Sequence, residues 1–206
     1  MNVLADLTVS SVLESLHRKA DLDRAMRLKH KKEKFVDKTF KKTAYLSISP
    51  EQGKLLYCLA TLSKAGTIVE YGCSFGVSSL YLAAAAKCNG GHLITTDMER
   101  SKVEGTRQNL TDAGVMDYAD VLLGDALETL SDVAAPVDFL FLDGANDLYL
   151  PLFKKLYPKL GSGAIVVADN ANKGGAAEYL KHMISQTDEF TSFSFFENRM
   201  LVSYRT

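Results

Sequence analysis

Carboxylates recur in or just beyond five short apolar runs of this chain, at Glu70, Asp97, Asp125, Asp143 and Asp169. The first lies in Glu70-Tyr71-Gly72-Cys73-Ser74-Phe75-Gly76-Val77-Ser78, where the glycines fall in G-x-x-x-G rather than G-x-G-x-x-G. A dinucleotide turn needs its second glycine to bring backbone against a pyrophosphate, with a helix N-terminus behind it. A carboxylate repels a phosphate and attracts a sulfonium or ammonium group, so this turn suits a cationic or neutral ligand. The other reading of the same residues is a glycine pair that packs the following helix. Asp97 closes Thr95-Thr96-Asp97. It lies about 20 residues past the turn, where a carboxylate accepts hydrogen bonds from both ribose hydroxyls of a dinucleotide. S-adenosylmethionine (SAM) sites share that feature, and the same residue also suits a helix cap near Ser101. Gly124-Asp125-Ala126 is placed to meet an adenine amino group, and Asp125 can N-cap a helix at the same time.

The last two runs end in Leu142-Asp143-Gly144 and Ala168-Asp169-Asn170. If they are adjacent parallel strands, roughly 5 Å apart, three oxygen donors converge at one edge of a cleft. Two carboxylates and an amide carbonyl are hard donors that suit Mg²⁺ or Ca²⁺ rather than Zn²⁺. Capping of turns by each residue is the alternative.

The elements that position these groups alternate. Ser49-Pro50-Glu51-Gln52 starts a helix, with Ser49 as N-cap, Leu55, Leu56, Leu59 and Leu62 on one face, and Gly66 at its end. Strands follow at 67–71, 92–96, 119–123, 137–142 and 164–168, with helices near 76–87, 101–113, 126–130, 147–156 and 175–185. Short strands separated by helices make βαβ units and a parallel sheet covered on both faces. The runs 190–195 and 200–204, joined by Phe196-Glu197-Asn198-Arg199, break the pattern with an antiparallel hairpin. The expected fold is α/β and Rossmann-like: seven strands, mostly parallel, the last inserted antiparallel, helices on both faces. Phe193, Phe195 and Phe196 read as hairpin core, and His17, His30, His92 and His182 as surface residues outside any ligand spacing.

Charge is uneven although the total is −1: residues 17–42 carry +7 and the remainder −8. Leu16, Ala20, Ala25, Met26, Leu28, Phe35, Val36 and Phe40 punctuate the basic stretch, which reads as two helices with solvated basic faces more readily than as a nucleic-acid arm. Usage of apolar and charged residues is ordinary for a globular domain, and no apolar run approaches the ~18 residues of a membrane span. The N-terminus lacks the pattern of a secretory signal, and Cys58, Cys73 and Cys88 form no C-x-x-C pair, so a cytoplasmic protein with reduced thiols is expected.

From about Ser47 onward the chain resembles the class I SAM-dependent O-methyltransferases, in the catechol and caffeoyl-CoA branch. The resemblance rests on Ser49-Pro50-Glu51-Gln52-Gly53, Val69-Glu70-Tyr71-Gly72, Asp97, Asp143 with Asp147-Leu148-Tyr149-Leu150-Pro151, and Ala168-Asp169-Asn170. It implies the strand order 3-2-1-4-5-7-6 and a division into a helical basic arm or lid at 1–46 and a SAM-binding domain at 47–206. It also implies a small catechol-like substrate and a homodimer built through the arm. The cofactor shell it implies is Ile48, Glu70, Gly72, Ser74, Gly76, Ser78, Asp97, Met98, Gly124, Asp125, Ala126 and Asp143. Within that shell Glu70, Gly72 and Ser78 meet the methionine part and Asp97 the ribose. Asp143, Asp169 and Asn170 are implied to hold Mg²⁺, which binds two vicinal substrate oxygens and acidifies the attacking one.

One position departs from the pattern. Three residues after Asp143 the family carries a lysine; here Asn146 stands there, and an amide cannot take a proton at neutral pH. Asn146 can orient substrate, while the metal alone, Lys173 or a basic residue of the arm would supply the missing charge. The acidic substrate-binding residue that catechol enzymes carry near the C-terminus has Glu197 as its candidate. Three rivals stay open: a metal-independent small-molecule methyltransferase on the same fold, a non-catalytic SAM-binding protein, and a nucleic-acid methyltransferase. The last is disfavoured because Leu142-Asp143-Gly144-Ala145 is not an Asn/Asp-Pro-Pro-aromatic tip. A nicotinamide reductase lacks both its glycines and a Tyr-x-x-x-Lys pair.

Overall fold

A computed structural model describes residues 2–32 and 40–206, with side chains at 2–29 and 42–206. In the basic stretch, where two helices were expected, α1 (Leu7–Lys32) runs 26 residues and the short α2 (Phe40–Thr43) lies further along the chain. Val9, Leu13, Leu16 and Ala20 recur every three or four residues along α1 and are buried, whereas Met26 and Leu28 face solvent. The side chains of His30, Phe35, Val36 and Phe40, named above, lie outside the described residues.

α3 (Pro50–Leu62) begins with a reciprocal capping box: Ser49 accepts from the Gln52 N–H, and the Gln52 side chain accepts from the Ser49 N–H. Its buried stripe is Gly53, Leu56, Tyr57 and Ala60; Leu55 and Leu59 are partly buried, Leu62 is exposed because it lies off that stripe, and the helix ends at Ser63 rather than at Gly66. There follow β1 (Thr67–Tyr71), α4 (Val77–Asn89), β2 (His92–Asp97), α5 (Arg100–Asp112), β3 (Ala119–Leu123), α6 (Ala126–Thr129), β4 (Val137–Leu142), α7 (Tyr149–Leu156), β5 (Leu160–Ala168), α8 (Ala177–Ser185), β6 (Phe190–Phe195) and β7 (Met200–Arg205). β5 starts four residues earlier than the apolar run suggests. Gly161 and Gly163, the latter at φ +79°, absorb a register shift against β4, and a glycine-rich stretch reads as a turn in sequence.

The seven strands form one sheet in the order β3-β2-β1-β4-β5-β7-β6, parallel except for β7, which is antiparallel to both β5 and β6. Two cores cover its faces. One gathers α1, α3, α4 and α5 around Leu16, Leu56, Leu80 and Phe139; the other gathers α7 and α8 around Tyr149, Phe153, Leu140 and Tyr179. α3 and α4 meet closely, since a Cβ at Gly53 would stand 2.1 Å from the Tyr81 ring.

Phe193, Phe195 and Phe196 are exposed, not core, because β6 is the sheet edge and only Phe190 turns inward. His17 is no bystander: its Nε2 lies 3.1 Å from the Tyr81 hydroxyl, tying α1 to α4. His92 pairs with Asp120 at 3.0 Å, and the His182 ring packs on Phe153.

Candidate functional site

The main-chain ladder continues past the strand ends. Gly72 and Cys73 N–H donate to Thr96 O (3.0 and 3.2 Å), Asp143 N–H to Tyr71 O (2.9 Å), Asp169 N–H to Leu142 O (3.0 Å) and Gly124 N–H to Asp97 O (3.1 Å). The tips of β3, β2, β1, β4 and β5 therefore stand level along one edge of the sheet, the edge where open α/β sheets bind ligands.

Glu70, in β1, is completely buried. Its Oε2 accepts from Ser79 Oγ (2.5 Å) and Thr95 Oγ1 (2.6 Å), while Oε1 has no partner among the described residues. Burial pushes this carboxyl above the usual carboxylate range, partly opposed by the hydroxyls of Ser78, Ser79 and Thr95. At the turn Gly72 takes φ +97°, and a Cβ there would stand 2.8 Å from Gly144 backbone. Only glycine lets the two tips approach so closely. Ser74 Oγ is also buried, with no partner among the described residues. Gly76, at φ +85°, is the N-cap of α4, so the first N–H groups of that helix, with Ser78 in its first turn, have no side-chain cap among the described residues.

Asp97 Oδ2 accepts from Ser74 N–H and Oδ1 from Glu99 N–H, each at 3.0 Å. It does not cap α5, whose N-cap is Glu99. Instead it ties the tip of β2 to the turn after β1 and keeps lone pairs for a ligand. Met98 beside it is exposed, Ile48 and Ala126 are buried, and Asp125 does cap α6, accepting from Leu127 N–H at 2.8 Å. Tyr45, from the N-terminal segment, stacks on Phe75 of the glycine turn at 4.2 Å and 15°.

Asp143, Asp169 and Asn170 do come together. Asn170 Nδ2 donates to Asp169 Oδ2 at 3.0 Å and reaches Asp143 Oδ1 at 3.4 Å. Sequence reasoning missed two further members. Arg199 binds Asp169 bidentately, Nε to Oδ1 at 2.9 Å and Nη2 to Oδ2 at 2.7 Å, and Gln52 Nε2 donates to Oδ1 at 2.8 Å. Asp169 is buried. Burial, then the charges of Asp169 and Glu70, push the Asp143 carboxyl well above its ordinary range, while Arg199 and Asn170 act against this. Its hydrogen bond to Asp169 holds the Arg199 guanidinium even more firmly protonated. Asn146 starts a turn of 3₁₀ helix, and its Nδ2 is buried without a partner among the described residues. Glu197 and Lys173 lie exposed on their turns; Arg199, two residues past Glu197, is the one that reaches the cleft. Among the described residues, no group of three or more His, Cys, Asp and Glu side chains gathers in one place.

Comparison with known proteins gives a family-model match, described as O-methyltransferase, over residues 21–195. A catechol O-methyltransferase of Mycobacterium tuberculosis is 33% identical over 131 residues, 63% of this chain and 59% of that protein. One of Niastella koreensis is 31% identical over 134 residues, 63% and 60% respectively. The chain thus spans about three fifths of the length of these relatives. Among solved structures, the O-methyltransferase TomG of Streptomyces achromogenes, in complex with SAM, superposes with a TM-score of 0.70 at 27% identity, over 84% of this chain and 91% of that one.

Proposed function

The chain belongs to the O-methyltransferase family, and from that premise we propose that it moves the methyl group of SAM to a hydroxyl of a small molecule. The observation that carries this reading is the level row of strand tips. There a buried carboxylate with an unpartnered oxygen, Glu70, stands on the same edge as Asp97 on one side and Asp143 on the other. The donor set fits SAM. Glu70 Oε1 and Ser74 Oγ are orphaned polar atoms for the methionine ammonium and its neighbours, and the uncapped first turn of α4, with Ser78, faces the carboxylate. Asp97 accepts the ribose hydroxyls, Ile48 and Met98 border the cleft, and Gly124, Asp125 and Ala126 receive the adenine. When bound, SAM supplies a methyl carbon attached to a cationic sulfur.

Asp143 takes the proton of the substrate hydroxyl, and Asn146 Nδ2 donates a hydrogen bond that orients the substrate. The substrate oxygen forms the new C–O bond as the C–S bond breaks, and the electron pair of that bond returns to sulfur. Two opposite charges vanish in this step, so a site that excludes water and holds the reactants in line favours it. Magnesium, which the resemblance implies at Asp143, Asp169 and Asn170, does not fit these residues as they stand. A guanidinium holds both Asp169 oxygens, and Asn170 turns an N–H donor toward both carboxylates, whereas a divalent cation takes oxygen lone pairs. The reading is therefore metal-independent transfer, with no step through a metal.

The names of the relatives make catechol the first acceptor to try. Residues 1–46, whose Tyr45 covers Phe75, and a homodimer formed through them complete the reading; a monomer mass in light scattering would remove the dimer. The deciding experiment is calorimetric titration of SAM, followed by methyl transfer to catechol in EDTA. Saturable binding and product in EDTA are expected, and absence of cofactor binding overturns the reading.

A further inference from the structure

We propose that Arg199 stands where a metal would: it is a built-in cation that bars divalent ions from the tips of β4 and β5 and receives the substrate oxygen through Nη1. This rests on the methyl-transfer reading for what the cleft does, and on the geometry alone for what occupies it.

The turn that carries Arg199 is shaped to deliver it. Phe196, Glu197 and Asn198 take left-handed φ angles of 52°, 55° and 63° in succession, a conformation rare for residues other than glycine. Arg199 N–H then donates to Phe196 O at 3.1 Å, and Arg199 O accepts from Ala171 N–H at 2.8 Å. The β6–β7 turn is thereby pinned by its main chain to the loop after β5, and the guanidinium forks onto Asp169. Asp169 is further held by Gln52 and Asn170, so the oxygens a divalent ion would need are committed.

Arg199, Gln52 and Asn170 together give Asp169 four hydrogen bonds, two on each oxygen, so its lone pairs are taken, and the guanidinium repels a divalent cation besides. Asp169 uses Nε and Nη2, and Nη1 has no hydrogen-bond partner among the described residues, in a side chain 38% exposed. Two N–H donors on a fixed cation, at the edge that bears Asp143, match an oxygen that becomes anionic as its proton leaves. The substrate class that follows is a phenol or another acidic hydroxyl, whose oxyanion a guanidinium stabilises without any metal.

Manganese binding followed by electron paramagnetic resonance tests this in the wild-type chain, in Arg199→Met and in Arg199→Lys. The wild type and the charge-retaining Arg199→Lys are expected to bind no Mn²⁺ under conditions where Arg199→Met binds it. Added Mg²⁺ should raise the melting temperature of Arg199→Met alone, by neutralising the carboxylate left unpaired. If Arg199→Met does not fold even with Mg²⁺, Arg199→Gln, which keeps an amide beside Asp169 without the charge, takes its place. Wild-type Mn²⁺ binding that Asp169→Asn abolishes overturns the proposal. So does a folded, SAM-binding Arg199→Met or Arg199→Gln that takes up no Mn²⁺. The substrate half is read from 4-nitrocatechol with SAM present and no metal. The wild type should lower the pH at which the probe's catecholate band appears, and the neutral variants should lose that shift; no shift with the wild type overturns it. Failure of SAM to bind would count against the proposed function while leaving the Mn²⁺ comparison intact.

Discussion

Glu70 sits in surroundings that make it costly to ionise and then give it a reason to do so. Buried, with one oxygen held by Ser79 and Thr95 and the other without a partner among the described residues, it is pushed toward its protonated form by desolvation first and by the charge of Asp97 last. A methionine ammonium and a sulfonium favour the ionised form. SAM affinity should therefore be full above the raised pKa and weaken as pH falls through it, because each binding event must then expel a proton. Glu70→Gln, which cannot titrate, should bind about tenfold more weakly near neutral pH, the worth of a hydrogen bond to a charged group. It should also show a flatter pH profile; calorimetry between pH 5 and 8 checks both, and an unchanged slope in the variant would remove Glu70 from the binding event. Glu70 and Asp97 were legible in sequence because an acidic residue at a strand tip has few structural reasons to be there. Arg199 was not legible. It meets Asp169 across a hairpin 30 residues further on, and a lone arginine in a turn reads as surface charge until the turn's φ angles are known.

Elements hold these groups by using one side chain for two tasks. Gln52 closes the capping box of α3 with Oε1, at 2.9 Å from Ser49 N–H, and orients Asp169 with Nε2 at 2.8 Å. The cap was readable from Ser49-Pro50-Glu51-Gln52, since a Ser followed three residues later by Gln is a local signal. The second bond, 117 residues distant, has no local signal. Ser49→Ala should cost about 1 kcal/mol of stability in urea unfolding, the usual loss of an N-cap hydroxyl. Gln52→Ala removes the cap's return bond and an Asp169 partner together, and should cost about 1–3 kcal/mol, because a buried carboxylate loses a donor. Equal losses in the two variants would show that the bond from Gln52 to Asp169 contributes nothing.

At the scale of the molecule, α1 is joined to the sheet domain by apolar packing and, among the described residues, by a titratable contact at His17. His17, half-buried, faces the Tyr81 hydroxyl on α4 and Glu51 and Lys54 on α3, with Asp21 one turn along its own helix. It also borders a cavity of about 670 Å³, lined by Leu4, Leu13, Pro50 and Lys54, that contains none of the strand-tip residues. Burial, the largest influence, depresses the His17 pKa below its ordinary value, and Lys54 acts the same way while Asp21 and Glu51 oppose it. The unfolded chain then binds more protons than the folded one as pH falls from the ordinary histidine value of about 6.5. The contribution of His17 to stability is complete above that pH and is lost progressively below it, as the imidazole is forced to charge inside the α1–α4 contact. Because the site is only half-buried, solvent screens the effect. Between pH 8 and pH 5 the wild type should lose about 1–3 °C more in Tm than His17→Gln, which keeps a polar group beside Tyr81 but cannot titrate. Parallel melting curves for the two proteins across that range would mean that the ionisation of His17 plays no part in holding α1 to α4.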